Sequence, residues 1–374
     1  MILDPWNGAG TTSLMASIAG YDSIGVDLNP VMKVIARAKQ STSSDVQKIE
    51  QKLAKISTVR IGGVSEADPL RQWFLHAGVR AIRKVERLIL DGAVHKSVAD
   101  KVNSLSASDC VLYTALFNCV RGYLKDFIPS NPTWIKKPKS ECDKVDVNWK
   151  KFKSRFLTIV NEMINGLHLN EHDWDERRAS LLIASSEQLP LPDMSVDLVL
   201  TSPPYCTRID YGVATMPELA IVSGLIIDES DKIRRALMGT TTVPKMADSL
   251  CHEQFGCVCA KFLDAVKSHS SKASATYYYK NFVQYFTALA KSLLEVSRVM
   301  KRGASFVCVV QDSFYKDLHC DLPGIIIELG QLYGLELQQR HDFESKQNMV
   351  NINGRSKSYR KQSTAYESVL VLAK

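Results

Sequence analysis

The start of the chain alternates short apolar runs with helical segments, and this alternation constrains the fold more than any other feature. The run at 1–4 ends at an acid, a glycine-containing loop follows, and residues 13–19 have helical composition. After Gly20 a second apolar run ends at Asp27, and residues 31–38 again show helical spacing. Strands that alternate with helices pair in parallel, because the helix carries the chain back across the sheet. The sequence therefore predicts an α/β fold with a mostly parallel sheet and flanking helices.

The pattern changes between residues 40 and 176, where amphipathic spacing predicts helices over 70–90 and 110–124 and no strand. The later part of this stretch mixes aromatic residues with lysines, which include Lys136, Lys137, Lys150 and Lys151. Lysines contact phosphates and aromatic rings stack on bases, so such a mixture suits a nucleic-acid surface. We predict that 40–176 is a large helical insertion and the candidate region for target recognition.

Strand and helix alternation resumes after the insertion. Apolar runs predict strands at 179–184 and 196–200, and the second run ends at Thr201. Gly303 is predicted to end a long helix and to precede a strand. The later elements, in chain order, are a helix, a strand, a helix and a closing strand, at 277–300, 305–310, 322–333 and 368–372.

These changes of pattern divide the chain into three stretches. Residues 1–39 and 177–374 are predicted to be the two parts of one α/β core, and 40–176 is inserted between them. With 374 residues, of which 45% are hydrophobic, the chain can bury a sizeable core. This length suits one large domain that carries an insertion, or two domains.

The formal net charge of +7 favours a polyanionic partner without requiring one. No apolar run approaches the roughly 18 residues that a membrane-spanning helix needs, and no basic segment followed by an apolar one begins the chain. We therefore expect a cytoplasmic protein that has no membrane partner.

The nine cysteines are scattered, and their spacing indicates no disulfide framework. Cys251, Cys257 and Cys259 stand near His252, but they lack the paired C-x-x-C spacing of zinc sites. We predict no metal site.

The loop at 4–12 reads Asp-Pro-Trp-Asn-Gly-Ala-Gly-Thr-Thr. Gly8 and Gly10 stand where a strand must turn sharply into a helix while its backbone approaches a ligand. A nicotinamide site would favour a third glycine at position 13, which is Ser13 here, so the dinucleotide fingerprint is incomplete. The alternative is a tight turn that binds no ligand.

Asp27 ends the second predicted strand, where a carboxylate can accept hydrogen bonds from both hydroxyls of an adenosine ribose. Two other uses remain open. Asp27 could cap the helix that begins near Pro30, or Asn29 could serve as that cap.

Ser202-Pro203-Pro204-Tyr205 directly follows an apolar strand, at the sheet edge where open α/β proteins bind their ligands. The two prolines have no amide donors, so carbonyl oxygens are left to face the site as acceptors. An amino group is the natural partner of such acceptors. The alternative is a proline turn after a buried strand, with no ligand.

The glycine loop and this tetrad together resemble the amino-methyltransferase family of DNA methylases. The motifs of that family read D-P-F-x-G-x-G-T-T and [D/N/S]-P-P-[Y/F], and Trp6 stands here for the phenylalanine. The resemblance implies a Rossmann-like S-adenosylmethionine-dependent methyltransferase fold. It implies S-adenosylmethionine as the cofactor, held by Asp4, Pro5, Trp6, Gly8, Gly10, Thr11, Thr12, Asp27, Ser185 and Ser186. Ser185 or Ser186 stands where the family often has an acid that touches the adenine amino group.

The resemblance also assigns the catalytic roles. Ser202 and the Pro203 carbonyl would accept hydrogen bonds from the target amine, and Tyr205 would stack on a flipped base. Serine in the first position is common among cytosine enzymes of the family, which favours cytosine N4 over adenine N6. Cys206 follows Tyr205 rather than a proline, so we interpret it as a packing residue and not as a nucleophile.

The expected partner is DNA. Arg208 could hold a phosphate or pair with Asp210, and the segment with Arg355 and Lys357 could contact DNA or form an ordinary solvated surface. The alternatives are an RNA base amino-methyltransferase and a catalytically weak DNA-binding subunit. Because the chain begins at its first strand, we also expect that a second polypeptide could supply a wall of the cofactor site. A restriction-modification or phage-defence context would suit such an enzyme.

Overall fold

The computed structural model describes residues 1–129, 134–169, 178–206, 210–224, 227–240, 252–345 and 365–374. Its strands are β1 (Ile2–Asp4), β2 (Ser23–Asp27), β3 (Ala179–Ile183), β4 (Val196–Thr201), β5 (Met300–Gln311), β6 (Ser313–Tyr315), β7 (Leu318–Cys320), β8 (Glu336–Ser345) and β9 (Ala365–Ala373). Within these ranges, seven strands form one sheet in the order β3-β2-β1-β4-β5-β9-β8, and β6 and β7 form a separate hairpin.

The sheet is parallel from β3 to β5, and β9 is antiparallel to both β5 and β8. β1 lies between β2 and β4, so the chain first builds the sheet outward on one side of β1 and later on the other. Where the connections that follow two neighbouring parallel strands run to opposite sides, a crevice forms at the carboxyl ends of those strands. That crevice lies between the ends of β1 and β4, beside Asp4 and Thr201. The predicted Rossmann-like α/β fold is confirmed.

Helices cover both faces of the sheet and form the insertion. In the first half of the chain they are α1 (Thr11–Ile18), α2 (Pro30–Lys39), α3 (Val46–Ala54), α4 (His76–Leu90), α5 (Val98–Ser104), α6 (Ala107–Tyr123) and α7 (Trp149–Leu169). In the second half they are α8 (Tyr211–Ala214), α9 (Met216–Ser223), α10 (Ile227–Ala236), α11 (Cys257–Ser268), α12 (Tyr279–Val299) and α13 (Leu322–Leu332). None of the helices in these described ranges is both long and apolar enough to cross a lipid bilayer.

The stretch between α2 and β3 contains the helices α3 to α7, and it packs against α2 and α9. Its longest buried element is α6, which begins at Ser106 with a capping box closed by Asp109. Trp73, Tyr113 and Phe152 are fully buried in a cluster that also contains residues of α2 and α9. Because these helices share one apolar cluster, the insertion is anchored to the segment that follows the tetrad. A second cluster fills the space between the sheet and α11, α12 and α13.

Buried charges reinforce that anchorage. Arg83 on α4 donates hydrogen bonds to both oxygens of Asp68, at 2.7 and 2.9 Å, and to the carbonyls of Ala220 and Ile221 at 2.8 and 2.7 Å. Lys101 on α5 donates to the next carbonyl of α9, that of Val222, at 2.8 Å. The last carbonyls of a helix have no partner within the helix, so these cations cap the carboxyl end of α9.

Two expectations about local structure were wrong. Helix α12 ends at Val299, and Gly303 lies inside β5 with a φ of 78°, where the pairing with β4 shifts register. The left-handed backbone at Gly303 accommodates this irregularity within the strand, which a glycine tolerates without strain. Residues 70–75 precede α4 instead of belonging to it, because Asp68 caps a short 3₁₀ turn at Pro69–Gln72. Strand β8 was not predicted, since most of its side chains are exposed and polar.

Candidate active site

A cavity with about 990 Å³ of empty space lies at the carboxyl ends of β1, β2 and β4. The predicted site residues in its lining are Pro5, Trp6, Gly8, Asp27, Ser185, Ser186 and the tetrad Ser202, Pro203, Pro204 and Tyr205. Two motifs that are nearly 200 positions apart in the sequence thus share one wall, because parallel strands bring their carboxyl ends to the same edge. Asp4, Gly10, Thr11 and Thr12 are not in this lining, and the first two support the loop from behind.

The glycine loop is shaped by backbone that only glycine adopts easily. Gly8 has a φ of 48° and Gly10 a φ of 81°. A Cβ atom on Gly10 would lie 2.5 Å from the Cβ of Ala36, so α2 closes on the loop at this point. Gly25 has the same role from β2, since a Cβ there would lie 2.4 to 2.6 Å from the side-chain amide of Asn7. The sequence analysis did not single out Gly25.

The Asp27 carboxylate holds the loop to β2. One oxygen accepts a hydrogen bond from the Gly8 N–H at 2.9 Å, and the other accepts one from the Asn29 N–H at 2.8 Å. The Asn29 side chain accepts from the Val31 N–H at 3.1 Å and is thus the cap of α2. This excludes the interpretation of Asp27 as the helix cap. Asp27 lines the cavity, and burial raises its pKa to about 6 despite these two donors.

Asp4 lies beneath the loop and joins it to the tetrad. Thr201 Oγ1 donates to Asp4 Oδ1 at 2.6 Å, and the Trp6 N–H donates to the same oxygen at 3.1 Å. The Thr12 side chain is a third partner, and burial raises the pKa of this carboxyl. Asp4 therefore supports the site and does not line it. The indole N–H of Trp6 is buried without a hydrogen-bond partner in the described part of the chain.

In the tetrad, Ser202 and Tyr205 are exposed to the cavity, while Pro203 is buried. Among the described residues no partner occupies the Ser202 hydroxyl. The Tyr205 ring is 38% exposed, as a stacking surface must be. Cys206 follows the tetrad with its sulfur 3.9 Å from that of buried Cys320, which agrees with a packing role.

Two further tyrosines hold the peptide unit between Pro204 and Tyr205. The Tyr285 hydroxyl on α12 donates to the Pro204 carbonyl at 2.6 Å, and the Tyr205 N–H donates to the Tyr211 hydroxyl oxygen at 3.1 Å. The carbonyl and the N–H belong to one planar unit, so the two contacts fix its orientation. Sequence reasoning missed Tyr285, because its helical pattern shows only that it is buried.

Ser185 and Ser186, which follow β3, do not offer the free hydroxyls that contact with a cofactor would require. Ser186 is buried with its hydroxyl 2.9 Å from that of Ser292, and Ser185 Oγ accepts from the Glu187 N–H at 3.1 Å. Both serine hydroxyls are thus engaged within the protein. Glu187, the next residue, lines the cavity and carries the carboxylate that the two serines lack. It is the first acid after the strand, a signal that was available in the sequence.

Four of the predicted nucleic-acid residues are described by the structure, and none of these four lines the cavity. Lys136, Lys137, Lys150 and Lys151 are exposed, and Lys137 lines a second recess beside α8. Arg208, Arg355 and Lys357 lie outside the described residues. So does Cys251, and within the described ranges no three histidine, cysteine or acidic side chains meet as a metal site would require.

Taken together, the cavity offers a carboxylate and a glycine loop at one end and hydrogen-bond acceptors beside an aromatic ring at the other. Its lining is mainly apolar, with Met32, Leu237 and Met238 between these ends. The burial of Tyr211 raises its pKa to about 12 and that of Tyr285 well above its usual range, so both hydroxyls remain protonated donors. Such a site can hold a nucleoside-like ligand next to an amine.

Comparison with known proteins gives one relative with a curated description. The Type II methyltransferase M.BsoBI of Geobacillus stearothermophilus is 26% identical over 274 residues, which are 65% of this chain and 51% of that protein. The chain thus spans about half the length of this relative. No family model matches the chain.

Solved structures resemble the chain only distantly. A S-adenosylmethionine-dependent methyltransferase of Methanosarcina mazei gives a TM-score of 0.33 at 9% identity, over 100% of this chain and 91% of that one. A candidate methyltransferase of Bacillus halodurans gives 0.25 at 11% identity, over 58% and 78%. The [4+2]-cyclase SpnF gives 0.25 at 12% identity, over 89% and 97%. Scores this low say nothing about the chemistry of the cavity, which depends on its own residues.

Proposed function

We propose that this chain is an S-adenosylmethionine-dependent methyltransferase that acts on the exocyclic amino group of a DNA base. The observation that carries the proposal is the shared cavity: the glycine loop, Asp27 and the tetrad Ser202–Tyr205 line one space. The sequence relationship to a Type II methyltransferase supports it. Each motif alone has a structural explanation, but their meeting at one sheet edge is what a reaction between two bound molecules requires.

The residues at the loop end of the cavity fit S-adenosylmethionine. Gly8 leaves room for a ligand against the backbone, and Asp27 offers carboxylate oxygens to ribose hydroxyls. Glu187 can accept from an adenine amino group, the role expected of Ser185 or Ser186. The free indole N–H of Trp6 is a donor suited to a carboxylate or hydroxyl oxygen. We assign these residues to cofactor binding.

When bound, S-adenosylmethionine supplies an activated methyl group, which the amine nitrogen accepts as the carbon–sulfur bond breaks. Ser202 and the Pro203 carbonyl accept hydrogen bonds from the amine and direct its lone pair into the cavity. The nitrogen must then lose one proton. The exposed Ser202 hydroxyl can pass this proton to water, so no buried base is needed.

Tyr205 and Tyr211 would receive the base. The exposed ring of Tyr205 offers a stacking surface to a base that has left the duplex. The Tyr211 hydroxyl accepts from the Tyr205 N–H, and its own proton has no acceptor among the described residues. A ring nitrogen stands next to the amino group in both cytosine and adenine, and Tyr211 can donate to it. We assign Tyr211 to recognition of the target base.

Within this class we favour cytosine N4, because Ser202 is a neutral acceptor in the position where adenine enzymes of the family more often carry an acid or an amide. Adenine N6 is the alternative. A restriction-modification setting is consistent with the Type II relative. An RNA base remains a second candidate, since the chemistry of the cavity is the same.

Transfer of labelled methyl groups from S-adenosylmethionine to DNA and to RNA tests the proposal, followed by nucleoside analysis of the product. We expect N4-methylcytosine in DNA, lost in Ser202→Ala and Tyr205→Ala. Ser195→Ala, at a half-buried serine in the turn before β4 whose hydroxyl donates to the Pro192 carbonyl, is the matched control and should retain activity. Label in adenine or in RNA would overturn the substrate and keep the chemistry. No transfer with saturating cofactor would contradict the enzymatic proposal and favour a DNA-binding subunit.

A further inference from the structure

A second recess lies beside the cavity, with about 1250 Å³ of empty space, and we call it the α8 groove. Its walls come from the insertion on one side and from α8, α9 and α10 on the other. Four basic residues line it, and they are Arg71, Lys137, Lys144 and Arg234. The sequence analysis had singled out Lys137 but assigned no role to the other three.

The short helix α8 separates the groove from the cavity. Tyr211 and Thr215 line the cavity, whereas Gly212 and Met216 line the groove. Arg234 packs so closely on Gly212 that a Cβ there would lie 2.4 Å from its Cγ. The residues that follow Arg234 at the end of α10 line the cavity again. A chain-like ligand with one unit in the cavity would therefore have its neighbouring units close to the groove.

Two guanidinium groups of the groove have N–H donors that no atom of the described residues uses. Arg71 Nη1 and Arg234 Nε are buried and have no hydrogen-bond partner in the described part of the chain. A buried donor without a partner is destabilising, so an oxygen-rich ligand that pairs with it would be favoured. Arginine recognises phosphate oxygens through its fork of N–H groups.

The acids of the groove are already engaged. Asp68 accepts from Arg83 with both oxygens, and Glu66 lies 2.7 Å from Arg71. Among the described residues, the ionic contact of Arg234 is a long one of 3.5 Å to Asp210, which also caps α8. Lys137 is exposed and has no ionic partner among the described residues. The groove therefore presents a surplus of positive charge.

We propose that the α8 groove binds the phosphates of the DNA strand next to the base in the cavity, through Arg71, Arg234 and Lys137. This inference rests on the proposed function. A flipped base remains joined to its strand, so the neighbouring phosphates must pass close to the cavity mouth. The groove is a cationic surface that is separated from that cavity only by the short helix α8.

Binding of a fluorescein-labelled duplex, followed by anisotropy between about 50 and 200 mM KCl, tests the inference. We expect Arg71→Gln combined with Arg234→Gln to weaken binding at least tenfold and to lower the salt slope by roughly one for each lost contact. Lys137→Gln, at an exposed position where folding is not at risk, should lower the slope by about one. The matched control is Arg178→Gln, which should leave binding unchanged. Arg178 lies just before β3, at the amino ends of the parallel strands, whereas the cavity lies at their carboxyl ends.

Cofactor affinity separates this inference from the proposed function. The groove variants should retain the affinity of the unaltered chain for S-adenosylmethionine, since none of these residues lines the cavity. If they also retain its DNA affinity and salt slope, the groove does not bind phosphate and the inference is overturned. If the unaltered chain binds cofactor but no duplex DNA, the DNA assignment itself fails. The DNA assignment would also be overturned if an RNA duplex binds more tightly than DNA and the groove variants weaken binding of both duplexes equally.

Discussion

Thr201 donates a 2.6 Å hydrogen bond to Asp4, and this contact connects the glycine loop to the tetrad Ser202–Tyr205. The two residues end neighbouring strands, β1 and β4, and each precedes one of the two motifs. Asp4 is buried, so its carboxyl depends on the donors of Thr201, Thr12 and Trp6. The relative position of the two halves of the site thus depends on a contact that neither motif reveals alone.

Thr201→Val should lower both stability and methyl transfer. The valine has the same shape but removes the donor, and a buried acceptor that loses its partner costs about 1–3 kcal/mol. Urea denaturation and initial rates with S-adenosylmethionine and DNA measure the two effects. Thr158→Val, on the exposed face of α7, is the matched control. Full activity in Thr201→Val would show that the contact does not align the site.

Asp27→Asn should weaken S-adenosylmethionine binding about 10- to 100-fold, which corresponds to about 1.4–2.8 kcal/mol. The amide offers a neutral acceptor in place of the carboxylate and cannot accept from both the Gly8 and Asn29 N–H groups. Isothermal titration measures the affinity. Asp22→Asn, at the exposed start of β2, should leave it unchanged. Unchanged affinity in Asp27→Asn would remove this residue from the cofactor site.

The pKa of Asp27, raised by burial to about 6, predicts a pH dependence. Because the folded-state pKa lies above the ordinary value of 3.8, the contribution of this group to stability is present below about 3.8 and is lost as the pH rises through 6. Cofactor affinity should change in the opposite sense and fall as the pH drops below 6, since the carboxyl gains a proton. Both trends should be absent in Asp27→Asn. Thermal melting and titration between pH 4.5 and about 8 check them.

Tyr285→Phe should reduce kcat about tenfold, or about 1.4 kcal/mol, with little effect on cofactor affinity. The change removes only the hydroxyl that donates to the Pro204 carbonyl, so the peptide unit before Tyr205 loses one of its two supports. Single-turnover rates and cofactor titration separate the two quantities. The control is Tyr21→Phe, at a 60% exposed tyrosine before β2. A rise in cofactor Kd with unchanged kcat would contradict a positioning role.

Arg83→Met should destabilise the chain by about 3–5 kcal/mol, because Asp68 and Glu86 would remain buried without their main partner. Arg80→Met, one turn earlier on α4 and exposed, should cost far less. The free energy of unfolding in urea provides the comparison. If both variants are equally stable, the buried charges do not hold the insertion to α9.

Much of the site could be predicted from local patterns. Gly8, Gly10, Asp27 and the tetrad each stand at the end of an apolar run, and in a parallel sheet strand ends meet at one edge. Their convergence in one cavity follows from that geometry. What such patterns cannot show is which long-range partners support them, and Tyr285 and Gly25 were missed for that reason. Glu187 was missed although its place as the first acid after β3 is visible in the sequence.

The sequence by itself determined the alternation of strands and helices, the glycine conformations of the loop and the acceptor-rich tetrad, because these depend on neighbours a few positions away. Only the tertiary structure decided that Asn29 and not Asp27 caps α2, that Asp4 supports the site from behind, and that α8 divides a cavity from a cationic groove. These outcomes depend on contacts between residues far apart in the chain. Such contacts are set by which strands pair in the sheet and which helices pack together, which local periodicity does not encode.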